Sequence, residues 1–313
     1  MGLTVGVDVG GTKIAGGVVD EAGKILVQTR RRTPSADPVA ILDTIVAVVT
    51  ELSRDYKVDA AGIGSAGFVD AARSTVLFAP NLAWRDVPVR EQVTAATGIP
   101  TVVENDANSA AWGEFRFGAA EDVDDMVCVT VGTGIGGGVV FSGTIYRGAH
   151  GIGAELGHMR MVPGGRLCGC GQRGCLEQYA SGRALVGDAR TAVTADPEAG
   201  AALLALAGGD ADAITGPMIT AAARDGDALA ISVFGGIGRW LGEGLASLAA
   251  ILDPAVFVIG GGVSAAGELL RRPTDEAFRA NLTGKGHRPE AQLRMATLGN
   301  AAGIVGAADL ARR

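Results

Sequence analysis

Positive charge is in short supply in this chain: 27 lysines and arginines face 34 aspartates and glutamates, a net −7 over 313 residues with a pI near 5.1. Nucleic acid is thereby excluded as the expected partner, because phosphate backbones are held by a basic face. Long hydrophobic runs are missing too. No stretch approaches the ~18 apolar residues of a membrane span, so no membrane partner is expected. The opening residues carry no basic segment and meet Asp8 early, so they do not read as an export leader, and the cytoplasm is the expected location. Aromatic residues make up only 4%, which leaves the core to Val, Ile, Leu and Ala. Cysteines number four, and in a reducing compartment clustered thiols are more often metal ligands than disulfides. Glycine is the opposite case: 49 residues, about twice the usual share, announce many sharp turns. The length suggests about two domains.

What little cysteine and histidine there is gathers in one stretch. From Glu155 to Gln178 the spacing is His158-x9-Cys168-x-Cys170-x4-Cys175, bracketed by Glu155 and Glu177. Three thiolates and one imidazole complete a tetrahedral set for Zn²⁺, and a closed set marks a structural metal. Glycines 164, 165, 169, 171 and 174 would let the backbone wrap around it. A disulfide with a spare thiol, or three buried free cysteines, is the alternative. Cys128, within Met126–Val131, reads as a small buried hydrophobe.

Alternating strand and helix patterns give an α/β class. Leu3–Val9 is an apolar strand ending in Asp8-Val9-Gly10-Gly11-Thr12-Lys13, where backbone N–H groups, Thr12 and Lys13 could close on phosphate oxygens or simply form a hairpin. Strands at 14–20 and 25–33 follow, then a helix over 38–57 with Asp37-Pro38 at its start and a stripe of Val39, Leu42, Ile45, Val46, Val49 and Leu52. A buried strand at 60–66, a loop over 80–84 and a helix over 89–97 come next. The strand 100–103 delivers Glu104-Asn105-Asp106 onto a helix over 107–117. That triplet has two readings: a helix cap, or a carboxylate presented at the carboxyl edge of a sheet, where α/β ligands sit. At a helix start the dipole favours the ionised acid, so the pKa of Asp106 is not expected to be raised. Met126–Val131 repeats the opening theme, breaking into Gly132-Thr133-Gly134 and on through Gly138, and a third turn, Gly260-Gly261-Gly262, leaves the strand 256–259. Three such turns suggest loops converging on one nucleotide. The segment 188–217 is a helical excursion of low information. A long apolar helical pattern over 219–252, broken near Asp225-Gly226-Asp227, reads as a buried core helix. Helices over 268–282 and 300–312 flank a strand at 292–298.

Cys168-Gly-Cys170-Gly-Gln-Arg-Gly-Cys175-Leu-Glu177 resembles the cysteine signature of the ROK family, a bacterial group of sugar kinases and sugar-responsive repressors. Glu155-Leu-Gly-His158 resembles that family's sugar-binding ExGH element, and Asn105-Asp106 its catalytic pair. The resemblance runs from Asp8 to the last helix. It implies an actin-like, hexokinase-type ATPase fold: two ribonuclease-H-like lobes around a nucleotide and sugar cleft, with a zinc-binding loop. Residues 1–112, completed by the helix 300–313, would form the N-terminal lobe, and 113–299 the larger C-terminal lobe.

The same resemblance implies transfer of the ATP γ-phosphoryl group to a sugar hydroxyl with Mg²⁺. Asp106 would take the hydroxyl proton, while Asn105, Asp106, Glu155, His158 and Glu177 hold the sugar. Asp8 would position magnesium; Gly10, Gly11, Thr12, Lys13, Gly132, Thr133, Gly134, Gly261 and Gly262 would line the nucleotide. A structural Zn²⁺ would sit on His158, Cys168, Cys170 and Cys175. Pro80-Asn81-Leu82-x-Trp84 resembles the glucose-phosphorylating branch of the family, with fructose, mannose or N-acetylmannosamine as alternatives. A sugar-sensing repressor would carry a DNA-binding segment ahead of the first phosphate turn, and a zinc-stabilised scaffold would have no use for Asp106. A homo-oligomer, a dimer or dimer of dimers, is the family expectation.

Overall fold

The computed structural model describes residues 2–313. The chain opens with β1 (Leu3–Val9), β2 (Lys13–Val19), β3 (Ile25–Arg32), α1 (Pro38–Ser53) and β4 (Val58–Ser65). Three short strands follow, β5 (Phe68–Val69), β6 (Val76–Phe78) and β7 (Arg85–Val87), then α2 (Val89–Thr97), β8 (Thr101–Asn105) and α3 (Asp106–Phe117). Next come β9 (Met126–Val131), β10 (Ile135–Phe141) and β11 (Thr144–Tyr146). The helices α4 (Glu177–Ala180), α5 (Gly182–Ala195), α6 (Ala201–Leu206), α7 (Gly216–Arg224) and α8 (Ala228–Leu252) lead to β12 (Val256–Gly260), α9 (Glu268–Asn281), β13 (Gln292–Met295) and α10 (Ala302–Leu310). No described helix is long and apolar enough to cross a membrane.

Two five-stranded sheets carry the fold, in the orders β3-β2-β1-β4-β8 and β11-β10-β9-β12-β13, with β5-β6-β7 as a small third sheet. In the first, β1–β2 and β2–β3 are antiparallel while β1–β4 and β4–β8 are parallel. The second likewise has an antiparallel hairpin at one edge (β10–β11) and a parallel pair at the other (β12–β13). By contacts the chain separates into two compact units. Unit 1 runs to Cys128 and adds Gly137–Ala154 and Ala296–Arg313; unit 2 comprises Val129–Gly136 and Glu155–Met295.

In unit 1, α1 starts where Asp37 accepts from the Val39 and Ala40 N–H groups, satisfying two of the free donors of a helix start. Its buried face is Ile41, Ile45, Val48, Val49 and Leu52. The expected stripe is therefore turned slightly: Leu42 and Val46 are only partly buried, Ile41 and Val48 join the core, and Val39 is 65% exposed. On the other side of the sheet α10 lies so close to β1 and β4 that a Cβ at Gly6 or Gly62 would collide with the carbonyls of Ile304 and Ala307. The small sheet went unread, its strands being only two or three residues long. Trp84, in the loop likened to glucose-phosphorylating relatives, is fully buried and donates Nε1–H to Pro38 O at 3.1 Å. Leu82 is buried as well, so these two residues of that motif anchor a loop in the core; Asn81 is exposed, against Gly11.

In unit 2, the long apolar pattern is two helices. Asp227 caps α8, accepting from Ala230 N. Nor is α8 buried all round: Ile231 and Ile251 are 43% and 73% exposed, because the partners α4, α5, α7 and α9 leave part of its surface to solvent. The strand expected over 292–298 ends at Met295, where Thr297 and Leu298 turn their N–H groups to the buried Glu114 carboxylate.

Candidate active site and metal centre

The first glycine turn joins β1 to β2. Gly10 N–H donates to Lys13 O at 3.0 Å, and Thr33 closes the turn from outside, its Oγ1 donating to Gly10 O and its N–H to Thr12 O. Gly11, Thr12 and Lys13 thus remain at the rim. Asp8 leaves the end of β1 with no hydrogen bond to its carboxylate from the described residues. Burial, and then the negative charge of Asp106, push its pKa to about 6 against the opposing charge of Lys13. The structure therefore brings Asp8, Lys13 and Asp106 together within unit 1.

Asn105 and Asp106 stand where β8 turns into α3. Asn105 is the cap: Oδ1 accepts from Asn108 N at 3.0 Å and Nδ2 donates to Gly67 O at 3.0 Å. Asp106 Oδ1 accepts from Ala107 N at 2.9 Å. Despite the helix start, the pKa of Asp106 is raised, which overturns the expectation from the dipole. Surrounding protein strips water from the carboxylate, and that loss outweighs the N–H groups that favour its ionised form. A base with a raised pKa is a stronger proton acceptor.

In unit 2 the second turn is shorter than its glycines suggested, since β10 begins at Ile135 and absorbs Gly136–Gly138. Gly132 O accepts from Gly182 N at 2.8 Å, and Thr133 O from Arg183 N at 3.3 Å, so the start of α5 holds this turn. A cavity of ≈ 810 Å³ opens here, lined by Gly132, Thr133 and Gly262 together with walls from α5 and α7, among them Val186, Pro217 and Thr220. Gly261 backs onto the Val131 backbone instead, and Gly134 faces Glu177 Oε2. The α5 and α7 walls border the segment 188–217 read as uninformative, with Arg190, Gly216 and Pro217 inside it. No motif marked them, because the lining residues are spread over two helices without a fixed spacing.

His158, Cys168, Cys170 and Cys175 come together with one ligand atom each, all within 4.8 Å of one another. All four cysteines of the chain are free, Cys128 buried in β9. The Cys170 and Cys175 sulfurs are 3.7 Å apart, and His158 Nδ1 is 3.7 Å from Cys168 Sγ. The loop is held by Cys168 N–H to Gln172 O, Gly171 N–H to Cys168 O and Gly174 N–H to Arg166 O. At Gly174 the backbone has φ 80° and presses on Val162 O, so only glycine fits. Burial above all pushes the Cys168 thiol up to about 12. A His/Cys₃ set of this compactness is compatible with zinc.

The two glutamates flank that cluster. His158 Nε2, the nitrogen turned away from the sulfurs, is 3.9 Å from Glu155 Oε2. Glu177 Oε1 accepts from Cys168 Sγ at 3.2 Å, and its Oε2 lies 3.4 Å from Ile135 N. Glu177 therefore bridges the cysteine loop and the second glycine turn, a contact that its position in the sequence did not reveal.

Comparison with known proteins gives a consistent result. The profile of the ROK family matches residues 4–313. A glucokinase of Streptomyces coelicolor is 51% identical over 312 residues, which is 100% of this chain and 98% of that protein. A solved ROK family glucokinase from Streptomyces griseus, in complex with glucose and AMPPNP, is 53% identical with a TM-score of 0.92, covering 99% of each chain. A putative xylose repressor of Caldicellulosiruptor is 33% identical over 275 residues, 86% of this chain and 68% of that one.

Proposed function

The chain belongs to the ROK family, and on that premise we infer that it transfers the γ-phosphoryl group of ATP to glucose. The observation that carries this reading is the likeness along the whole chain to a kinase that binds glucose and an ATP analogue.

The residue roles are our assignment. The cavity of unit 2 takes the adenosine of ATP, its apolar walls suiting the base and its glycine turn at Gly132–Thr133 offering backbone N–H groups to phosphate. Gly10, Gly11, Thr12 and Lys13 offer the same from the first turn. Asp8 fits a magnesium ion: a half-buried carboxylate with no hydrogen-bond donor and a second acid nearby favours a cation. That ion, when bound, neutralises charge on the phosphates. Asp106 accepts the proton of the attacking sugar hydroxyl as its oxygen bonds to phosphorus and ADP departs. Because phosphoryl transfer is loose, the proton leaves late, and a positioned carboxylate suffices as the base. Asn105, already a cap, keeps one Nδ2 hydrogen and one Oδ1 lone pair for the sugar.

Zinc on His158, Cys168, Cys170 and Cys175 is the best fit to the donor set, and a closed set gives it a structural task only. His158 would then offer Nδ1 to the metal and hold its proton on Nε2, facing Glu155. One sugar hydroxyl can accept from that N–H and donate to Glu155, and Glu177 supplies a second acceptor. An ADP-release assay over glucose, fructose, mannose and N-acetylmannosamine tests the reading. Glucose should give the highest kcat/KM, and a higher value for another sugar would refute the glucose assignment.

A further inference from the structure

Glu104 has no part in the chemistry above, yet its carboxylate is buried and bonded on both oxygens. Oε1 accepts from Asn105 N and from Asn108 Nδ2, each at 3.1 Å. Oε2 accepts from Arg147 Nε at 2.6 Å, and the Arg73 guanidinium stands 3.7 Å away. With Asn108 N donating to Asn105 Oδ1, the side chains of Glu104, Asn105 and Asn108 close a ring around the turn from β8 into α3. Their rotamers are fixed together, and with them the backbone that presents Asp106.

The arginines tie this ring to two other segments of unit 1. Arg73 donates to Leu310 O through its guanidinium, and its own carbonyl accepts from Val103 N on β8. Arg147 opens the loop 147–154, which Gly153 N–H closes onto Arg147 O at 2.9 Å. Gly151 packs that loop so tightly against the Val69–Ala71 backbone that no side chain would fit. The next residue along the chain is Glu155. A buried acid is costly unless its partners are complete, so this cluster holds its arrangement or fails as a whole.

We propose that Glu104 is a positioning residue: through Arg147 it sets the loop 147–154 and the Asn105–Asp106 turn in one fixed relation. This rests on the reading of Asp106 as the base and Asn105 as a sugar ligand. Arg147→Met is the informative variant, because Arg73 remains beside Glu104 to balance its charge and keep the protein folded. Arg147→Lys retains the charge without the directed Nε–H, so it should rescue in part.

Deuterium exchange and steady-state kinetics are to be measured on both variants, on Glu104→Gln and on Glu104→Gln with Arg147→Met. Exchange should rise together in the peptides covering 104–108 and 147–154 of Arg147→Met. Its kcat with glucose should fall about ten- to a hundredfold, the usual cost of a small misplacement, while KM for ATP moves less than about twofold. The double variant should lose no more than the worse single one, since both break one unit. Losses that multiply, or exchange that rises at 147–154 alone, would overturn the proposal. Should the wild type phosphorylate no sugar, the preceding reading falls, and the exchange experiment by itself still upholds or overturns the coupling.

Discussion

Replacing Asp8 with asparagine should stabilise the magnesium-free protein while disabling the enzyme. The folded chain holds the Asp8 pKa at about 6, against 3.8 for the free group, with burial as the leading cause and Asp106 next. Between about pH 4 and pH 6 the folded state therefore binds more protons than the unfolded one, and stability falls as pH rises through that window. At about 1.4 kcal/mol per pK unit, the ionised acid costs on the order of 3 kcal/mol at pH 7.5. Asparagine keeps the shape and carries no such cost. The variant should match the wild type at pH 4 and melt about 6 °C higher at pH 7.5, taking roughly 2 °C per kcal/mol for a chain of this size. Thermal melts in magnesium-free buffer at pH 4, 5, 6 and 7.5 measure this. Magnesium with ATP should narrow the gap by stabilising the wild type, and the variant's kcat should be lower by about 10²-fold or more. A gap that is absent, reversed or independent of pH would refute the account of Asp8 as a half-buried acid that favours a cation.

Asp106→Asn should lower kcat by at least about 10²-fold with a much smaller change in glucose affinity, measured by ADP release and calorimetry. Because the Asp106 pKa is raised, wild-type kcat should climb with pH through a step above the ordinary carboxylate range; a profile flat from pH 5 to 8 would contradict this. Cys168→Ser or Cys170→Ser should lose zinc by metal analysis, stay largely folded by circular dichroism, and lose glucose binding far more than ATP binding, since the core does not depend on the loop. Gly6→Ala should destabilise unit 1 by more than about 2 kcal/mol in denaturant titration, its Cβ driving α10 from β1.

Element type was legible wherever a local pattern is sufficient. Apolar runs gave β1 and β9 to the residue, and Asp37-Pro38 marked a helix start, because caps act through neighbouring backbone. The His/Cys₃ cluster was legible for the same reason: four candidate ligands within eighteen residues leave the loop few ways to close. Legibility failed where burial decides. The face of α1, the exposure of α8 and the core role of Trp84 depend on which elements lie opposite, and periodicity alone does not name them.

The site divides along the same line. The candidate site residues were named from residue type, from spacing and from a resemblance carried by Asn105-Asp106 and by Glu155 to Glu177. What those residues can do followed only from their surroundings. The helix dipole argued for an ordinary Asp106, and desolvation in the folded chain reversed it. Glu104 looked like one more polar residue at a strand end until Arg73 and Arg147, 31 residues before it and 43 after it, closed on its carboxylate. Local sequence fixes backbone conformation and donor chemistry through interactions between near neighbours. Dielectric, charge balance and side-chain register are sums over everything that packs around a group, and those sums exist only once the chain has folded.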